Sequence, residues 1–415
     1  MRILILGSSV INKGGEAMLR TVQAELSRRI PGASFYIGDH RARQWHADGV
    51  VEAGVPLAPV AMGGRLKQVQ ALATHALRTP EGPRYWFRER GRLSYIDALT
   101  DFVDAAVDVS GFLFSDQRGE QAAEQLVHLS ELFARRGKPF VFLPQAWGPF
   151  EGPMVQKLTR RACTSADLVY ARDTTSREHL EAILDSTANV EQAPDIAFLF
   201  QPAPNGTELI VDLGLDSERP IAAISPNMRV YERTDGEGEA NHYCAALVRV
   251  GRELRARGAQ LLIVPHEILP RGEKRPDDRY LCGLLADMLA DPDVVAVTTD
   301  RTAEDLKAMI GACDLMLGSR FHALIAALSS GVPSVAIGWA HKYPELLGEF
   351  GMERLVFDHD ALTPDALVQA VLEVWDARAA YRTEINERLL DVKARSALAF
   401  ERVAALFHSS SSRGS

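Results

Sequence analysis

A short segment around residue 320 combines residue types that suit an anionic ligand. The apolar residues 315–317 predict a buried strand, Ser319 is the predicted N-cap of the following helix, and Gly331 predicts its end. Arg320 and His322 then lie in the first helical turn, where backbone N–H groups are unpaired and the helix dipole is positive. The segment therefore favours a phosphorylated or otherwise anionic ligand. The alternative is that His322 only caps the helix or packs.

Three further cationic side chains follow predicted strands. His341 and Lys342 come after the next strand, and Arg172 comes after the strand 168–171. The carboxyl ends of parallel strands meet at one edge of a sheet, where open α/β sheets bind ligands. Arg172 is either the partner of Asp173 in a buried ion pair or part of a ligand clamp, and the sequence leaves both interpretations open.

The chain begins with a strand, a glycine-containing loop and a helix. Residues 2–6 form a continuous apolar run typical of a parallel sheet, and Asn12, Gly14, Gly15 and Glu16 open a helical pattern. Such a unit can present backbone amides to a phosphate or a sugar. It matches neither G-x-G-x-x-G nor the Walker pattern, which disfavours ordinary dinucleotide or P-loop binding. The alternative is a simple turn in which the two glycines adopt positive φ.

Two other loops carry polar candidates at strand ends. Gln145 follows the predicted strand 139–143, and His266 with Glu267 follows the predicted strand 260–264. No group of residues has convincing metal-ligand spacing, so we expect metal-independent chemistry without a bound cofactor.

The composition limits the partners of this 415-residue chain. Its hydrophobic content of 47% and charged content of 24% are typical of a soluble globular protein. The net charge of -9 disfavours a nucleic-acid partner. The basic run 84–92 interleaves arginines with aromatic residues but includes Glu89, which favours a solvated surface or a loop facing a cleft.

Cysteine usage and hydropathy indicate the compartment. The four cysteines are widely separated and show no C-x-x-C spacing, so we expect a reducing cytoplasm. The best candidate for a membrane span, residues 323–340, is interrupted by Gly331 and Pro333, so no spanning helix is expected. Peripheral contact with a membrane is left open.

The order of predicted elements indicates two domains. Strands alternate with helices on both sides of a Pro/Gly-rich linker at residues 201–206, which predicts an α/β protein with two Rossmann-like domains. We place the first domain at residues 1–203 and the second at 207–384. A terminal helix over 385–408 is expected to complete the first domain, and the serine-rich residues 409–415 to be disordered.

The sequence resembles the polysaccharide pyruvyl transferase family over most of its length. The last two motifs are the specific ones, and the others are individually weak. The resemblance is carried by Asn12-Lys13-Gly14-Gly15-Glu16-Ala17, Pro144 to Pro149, Arg172-Asp173 with Ser176, Asp195 to Phe198, Ser225-Pro226-Asn227, Ser319 to Ile325 with Gly331-Val332-Pro333, and His341-Lys342-Tyr343. Two positions depart from the family pattern: Glu16 stands where many relatives have Asp, and Phe112 stands where another glycine is expected.

The resemblance implies an architecture and a reaction. The fold would be like that of two-domain GT-B glycosyltransferases, with the active site in the interdomain cleft. Phosphoenolpyruvate would be the donor and co-substrate, and a saccharide or lipid-linked saccharide of the cell envelope the acceptor. The product would be a pyruvate ketal bridging two sugar hydroxyls, with release of phosphate.

With that reaction, the candidate residues receive expected roles. His322 is the expected general acid, because imidazolium is available near neutral pH, and His341 is expected to assist departure of phosphate. Phosphoenolpyruvate is expected to contact Ser319, Arg320, Lys342 and Arg172, since arginine forks and helix amides suit carboxylate and phosphate groups. The expected acceptor side consists of Asn12, Gly14, Gly15, Glu16, Gln145 and His266.

Two other functions stay in competition. A glycosyltransferase that uses a nucleotide-sugar donor shares the expected architecture, and a fold does not settle function. A non-catalytic sugar-binding or phosphate-binding protein is disfavoured, because Arg320, His322 and Lys342 occur together.

Overall fold

The structure is a computed structural model, and it describes residues 1–8, 11–38, 54–55, 99–118, 120–269, 275–338 and 340–411. The basic run 84–92, predicted to be a solvated surface or a loop facing a cleft, lies outside the described residues. The chain divides into two compact units, and each is described separately below.

The first unit consists of residues 1–8, 22–195 and 397–415. Its strands form one parallel sheet of seven strands in the order β3-β2-β1-β4-β5-β6-β7. The elements are β1 (Arg2–Leu6), α1 (Lys13–Arg29), β2 (Ser34–Gly38), β3 (Gly54–Val55), β4 (Ala105–Asp108), α2 (Glu120–Arg135), β5 (Phe140–Gln145), α3 (Pro153–Ser165), β6 (Leu168–Ala171), α4 (Thr174–Ile183) and β7 (Val190–Gln192).

The central strands of this sheet are buried because helices cover both of their faces. Strands β4, β5 and β6 are buried at every position, which explains their unbroken apolar runs. Phe114, Phe142 and Trp147 stack within this core, with ring centroids 5.0–5.6 Å apart. The aromatic packing fixes the loop that leaves β5, where Trp147 Nε1 donates to the carbonyl of Tyr170 at 2.9 Å.

The second unit consists of residues 9–21 and 196–396. Its parallel sheet has six strands in the order β10-β9-β8-β11-β12-β13. A 3-10 helix (Ile196–Leu199) opens it, followed by α5 (Gly206–Asp212), β8 (Ile221–Ser225), α6 (Met228–Tyr231), α7 (His242–Ala256), β9 (Gln260–Ile263), α8 (Asp278–Leu289), β10 (Val294–Ala296), α9 (Ala303–Gly311), β11 (Leu315–Gly318), α10 (Phe321–Leu328), β12 (Ser334–Gly338), α11 (Lys342–Gly348), β13 (Val356–Asp358), α12 (Pro364–Asp376) and α13 (Arg378–Ser411).

Both sheets have the doubly wound order of a Rossmann fold. In each unit, the first strand and the fourth are neighbours, and the chain reverses direction across the sheet between them. The carboxyl ends of these two strands form the switch point at which such sheets bind ligands. The prediction of two Rossmann-like α/β domains is therefore confirmed.

The borders of the units differ from the predicted ones. The second unit begins at Ile196 and also includes residues 9–21, which sequence reasoning had assigned to the first domain. The last helix is continuous, and its residues from Ala397 onward belong to the first unit. It is helical as far as Ser411, so residues 409–411 are not the disordered tail that the serine run suggested. None of the described helices is long and apolar enough to cross a membrane.

Candidate functional site

The turn between β11 and α10 lies at the switch point of the second sheet. Arg320 is the N-cap of α10, and its φ of −99° and ψ of 122° are extended. The prediction of Ser319 as N-cap is wrong by one residue, because α10 begins at Phe321. Ser319 follows the last residue of β11, and its backbone N–H donates to the carbonyl of Ser225 at 2.9 Å. Its hydroxyl is also occupied, since it accepts from Tyr243 Oη at 2.7 Å.

The carbonyl of Ser319 is held as firmly as its hydroxyl. It accepts from Asn227 Nδ2 at 2.8 Å and from Tyr343 Oη at 3.0 Å. Asn227 is the N-cap of α6, Tyr343 belongs to α11, and Tyr243, which binds the hydroxyl, belongs to α7. Three separate elements therefore fix this turn. Ser319 therefore positions the start of α10, with its backbone amide and hydroxyl already used within the protein.

Arg320 is buried in a carboxylate cluster. Its Nε and Nη2 donate to Asp278 at 2.8 and 2.5 Å, and its Nη1 lies 2.9 Å from Glu267 Oε2. Burial alone would lower the pKa of Arg320, but the two carboxylates raise it above its ordinary value. For Glu267, burial alone would raise the pKa, but the positive charges of the neighbouring arginines outweigh burial and hold the pKa below its ordinary value. All three guanidinium nitrogens of Arg320 thus have protein partners in this structure.

Asp278 organises this cluster and was not identified from the sequence. It is fully buried and accepts hydrogen bonds from the backbone N–H groups of Met228, His266 and Glu267 at 2.8–3.1 Å, in addition to those from Arg320. Its position as the first residue of α8 places the carboxylate at a positive helix end. The sequence did contain a signal for Asp278. A helix needs one capping aspartate, Asp277 fills that place, and the second aspartate directly after it was therefore left without a capping role.

The segment that begins α1 packs against the same region of the second unit. The N–H of Lys13 donates to the carbonyl of His266 at 3.0 Å, and the N–H of Ile268 donates to the carbonyl of Ile11 at 2.8 Å. Asn12 and Glu267 form an isolated antiparallel bridge. The segment that holds the predicted acceptor residues Asn12, Gly14, Gly15 and Glu16 thus contacts the loop that carries His266.

Gly14 lies directly against the imidazole of His322. A Cβ atom at Gly14 would be 2.1 Å from both Cγ and Nδ1 of His322. Gly14 and Gly15 are in the first turn of α1, and neither has positive φ, so the alternative of a positive-φ turn is wrong. The glycine at position 14 is instead required by the close approach of a side chain.

Lys13 and Glu16 form a buried ion pair beside this contact. Lys13 Nζ lies 3.0 Å from Glu16 Oε2 and 3.6 Å from Asp300 Oδ1. Burial raises the pKa of Glu16, and the charge of Lys13 opposes that rise. Glu16, a predicted acceptor ligand, is 3% exposed, so its carboxylate holds Lys13 within the site.

His266 is a buried imidazole that is kept neutral. Among the described residues, neither of its ring nitrogens has a hydrogen-bond partner. Burial lowers its pKa well below the ordinary value, and the positive charges of His322, Arg320 and Lys13 lower it further. Its backbone is fixed on both sides by Asp278 and Lys13, so the ring has a defined place. Sequence reasoning assigned His266 to the acceptor side, and the structure brings it to the surroundings of His322.

Lys342 and His341 follow β12 at the same edge of the sheet. Lys342 Nζ lies 5.2 Å from the ring centroid of Phe321 and 5.7 Å from that of Tyr343. The rings of Phe321 and Tyr343 meet edge to face at 5.7 Å, which joins α11 to the first turn of α10. His341 precedes α11 and makes no capping hydrogen bond through its side chain. Lys342 therefore lies beside the first turn of α10, and its role in donor binding stays a prediction.

In the first unit, Arg172 pairs with a residue that was not predicted. Its Nη1 donates to Asp195 Oδ2 at 2.8 Å, and both side chains are buried. Asp173 is the N-cap of α4 and accepts from the N–H of Ser176 at 2.7 Å. The structure thus gives Arg172 a buried acidic partner in Asp195, while the carboxylate of Asp173 caps α4.

A second carboxylate cluster lies at the carboxyl ends of β4 and β5. Gln145 is buried, and its Nε2 donates to Asp108 Oδ2 at 3.2 Å. Ser110 Oγ donates to the other carboxylate oxygen at 2.7 Å. Burial raises the pKa of Asp108 to about 7, although these hydrogen bonds oppose the rise. A Cβ at Gly7, whose φ is +72°, would lie 2.1 Å from Ser110 Oγ, so the loop after β1 closes on this cluster.

Comparison with solved structures identifies the fold. The chain has the GT-B-like architecture of two parallel α/β units. A UDP-GlcNAc 2-epimerase from Neisseria meningitidis bound to UDP-GlcNAc superposes with a TM-score of 0.60 at 12% identity, covering 97% of this chain and 99% of that one. Anabaena Alr3699/HepE, solved with UDP and glucose, superposes with a TM-score of 0.56 at 15% identity, covering 99% and 100%. At these identities, the likeness shows the fold alone.

Sequence comparison then gives the family. The family model for polysaccharide pyruvyl transferase matches residues 12–341, and the chain therefore belongs to that family. A similar protein is the amylovoran biosynthesis protein AmsJ of Erwinia amylovora, which is 23% identical over 299 residues, covering 70% of this chain and 71% of that protein. The matched range contains Gly14, His266, Arg320 and His322, so the clustered residues fall within the family region.

Proposed function

We propose that this protein transfers the pyruvyl group of phosphoenolpyruvate onto two hydroxyls of a saccharide, forming a pyruvate ketal and releasing phosphate. The observation that carries the proposal is the grouping of His322 and neutral His266 at the switch point of the second sheet, in a chain of the pyruvyl transferase family. The cationic side chains of this region are Lys13, Arg320 and Lys342. Phosphoenolpyruvate has a carboxylate and a phosphate on one small molecule, and charge-assisted hydrogen bonds suit both groups. Lys342 is the proposed donor to these groups, because Arg320 and Lys13 already pair with carboxylates of the protein.

The two histidines suit opposite proton transfers. In the proposed reaction, His322 donates a proton to the terminal methylene carbon of phosphoenolpyruvate, which makes C2 electrophilic. A sugar hydroxyl then forms a bond to C2, and its proton goes to His266, which is neutral and able to accept it. Positioned imidazoles of this kind serve as general acids and general bases in proton transfer to and from reacting groups.

The second half of the proposed reaction closes the ketal. The C2–O bond to phosphate breaks and phosphate leaves with its electron pair. The second hydroxyl then bonds to C2 and passes its proton to His322, which gave up its own proton in the first half. His341 is the proposed group that assists departure of phosphate, and Lys342 the group that contacts the donor's anionic oxygens. Metal independence is part of the proposal.

The structure changes the proposed roles of Ser319 and Arg320. Because Asp278 and Glu267 engage the guanidinium of Arg320, we assign it a positioning role: it holds the His266 loop against the start of α10. Ser319 has a similar positioning role, since its polar atoms bind Tyr243, Asn227 and Tyr343. The roles of Arg172 and Gln145 in ligand binding stay predictions.

A nucleotide-sugar glycosyltransferase is the alternative function. The similar epimerase and HepE structures contain UDP or UDP-sugars, but their likeness to this chain concerns the fold alone. Family membership favours pyruvyl transfer over this alternative.

The experiment is an assay of phosphate release from phosphoenolpyruvate with a panel of free and lipid-linked saccharides. His322→Ala should abolish release, whereas His242→Ala, a matched change on the exposed face of α7, should leave it unchanged. Turnover by His322→Ala close to that of the wild type would overturn the acid assignment. Transfer from a UDP-sugar, with no use of phosphoenolpyruvate, would overturn the function.

A further inference from the structure

The second unit contains a cavity that shares no residue with the site described above. Its volume is about 410 Å³, and it is bordered by the chain after the first 3-10 helix and by the ends of α9 and α10. Its polar lining consists of Gln201, Thr207, Lys307, Ser329, Ser330 and Lys393. Among the residues that the structure describes, two lysines and no acidic residue line this cavity, although the net charge of the chain is -9.

Each lysine uses one hydrogen bond on the protein. Lys307 Nζ donates to the carbonyl of Phe200 at 2.5 Å, and Lys393 Nζ donates to the carbonyl of Ser329 at 3.1 Å. Among the described residues, no carboxylate pairs with either amine. An ammonium group has three donors, so both lysines retain donors that a ligand in the cavity can use.

The burial of Lys307 makes this arrangement costly without a counter-charge. Its side chain is only 4% exposed, and burial lowers its pKa to about 7, with the positive charge of Lys393 contributing to the same decrease. Burial also lowers the pKa of Lys393. The carbonyl and the ring of Phe200 replace only part of the hydration that the buried ammonium group loses. A bound anion would provide that partner for both amines.

We propose that this cavity binds a small oxyanion of the phosphate class, free or as an ester, between Lys307 and Lys393. Thr207 supplies a further hydroxyl at the cavity wall. The volume exceeds that of a phosphate ion and lies in the range of pockets that hold organic ligands, so a small phosphate ester also fits. The site does not depend on the proposed pyruvyl transfer, because none of its residues takes part in that reaction.

Proton uptake distinguishes this site from ordinary surface binding. An anion beside Lys307 favours the ammonium form, so binding above pH 7 must take up protons. Isothermal titration of the full-length protein with inorganic phosphate at pH 8, in buffers of different ionisation enthalpy, measures that uptake. A parallel titration with glucose 1-phosphate separates the two ligand forms: tighter binding of the ester indicates an organic ligand, and equal or weaker binding indicates free phosphate.

The matched variants assign the uptake to the cavity. Lys307→Met should abolish the proton-linked binding and Lys393→Met should weaken it by about tenfold, the usual effect of losing one charge-assisted hydrogen bond. Lys157→Met, which removes an exposed lysine of α3, should leave it unchanged. His322→Ala should retain it as well. Loss of the uptake in His322→Ala, or its retention in Lys307→Met, would overturn the proposal.

A measurement on the wild-type protein covers the case in which Lys307→Met does not fold. Acetylation of lysines by an N-hydroxysuccinimide ester, read by mass spectrometry, reports each amine separately. Phosphate should slow acetylation of Lys307 and Lys393 relative to Lys157, and sodium chloride at equal ionic strength should not. Equal rates with phosphate and with chloride would show that the cavity binds no oxyanion.

Discussion

Replacing Gly14 with alanine tests the contact that joins the N-terminal segment to the proposed acid. The new methyl group would lie 2.1 Å from Cγ and Nδ1 of His322, whereas ordinary contacts begin near 3.4 Å. The ring or the first turn of α1 must therefore move by about 1.3 Å. Lys13 and Ile11 bind the loop of His266 through their backbone, which hinders movement of α1, so we expect the imidazole to be displaced.

The expected effects differ between activity and stability. Displacing a reacting group by about 1 Å costs roughly 10²-fold in turnover, so Gly14→Ala should lower kcat by about that factor. Overpacking costs about 1–3 kcal/mol of unfolding free energy. Alanine is itself favoured over glycine in a helix, so the loss cannot come from backbone propensity. The assay combines steady-state phosphate release with urea unfolding of the same preparation.

Gly283→Ala is the matched control. Gly283 also lies in a helix of the second unit, α8, and its nearest atom to a new Cβ would be Thr298 Cγ2 at an ordinary 3.8 Å. This variant should keep its activity and gain about 0.5–1 kcal/mol of stability. Wild-type turnover in Gly14→Ala would refute the proposed contact, and so would an equal loss in both variants.

Two further predictions concern the buried carboxylates. Asp278→Asn should lower the unfolding free energy by about 3–5 kcal/mol in urea titrations, because it leaves buried Arg320 with one carboxylate fewer; Asp277→Asn should cost far less, since asparagine also caps helices. Burial raises the pKa of Asp108 from its ordinary value of 3.8 to about 7 in the folded state, so its contribution to stability is complete below pH 4 and is lost as pH rises through 7. The free energy of unfolding should fall by about 4 kcal/mol over this pH range, because each unit of pKa shift corresponds to about 1.4 kcal/mol. Asp108→Asn should remove this pH dependence from urea midpoints measured between pH 5 and 8, and an unchanged slope would contradict the assignment.

The sequence predicted the elements better than the partners of individual side chains. Strands 2–6 and 168–171 have the predicted bounds, because buried parallel strands are continuous apolar runs between polar loops. The position of His322 in the first turn of a helix after a buried strand was likewise predictable. These features depend on local pattern, which a single sequence displays.

Contacts between distant segments could not be predicted in the same way. Arg320 was expected to bind a ligand because nothing in its neighbourhood indicated that Asp278, 42 residues away, would engage it. Gly14 was expected to contact a sugar, and its contact with His322 depends on a loop docking that local pattern does not encode. Arg172 shows the same limit, since its partner Asp195 lies 23 residues away and the adjacent Asp173 serves as a helix cap.

The central claim is most directly tested by detecting the product. Wild-type protein is incubated with carbon-13-labelled phosphoenolpyruvate and a saccharide panel, and the product is analysed by NMR and mass spectrometry. The proposed function predicts a labelled ketal carbon bonded to two sugar oxygens, formed in equal amount with phosphate and absent with His322→Ala. Label found only in free pyruvate or unreacted phosphoenolpyruvate, together with sugar transfer from a UDP-sugar, would contradict it.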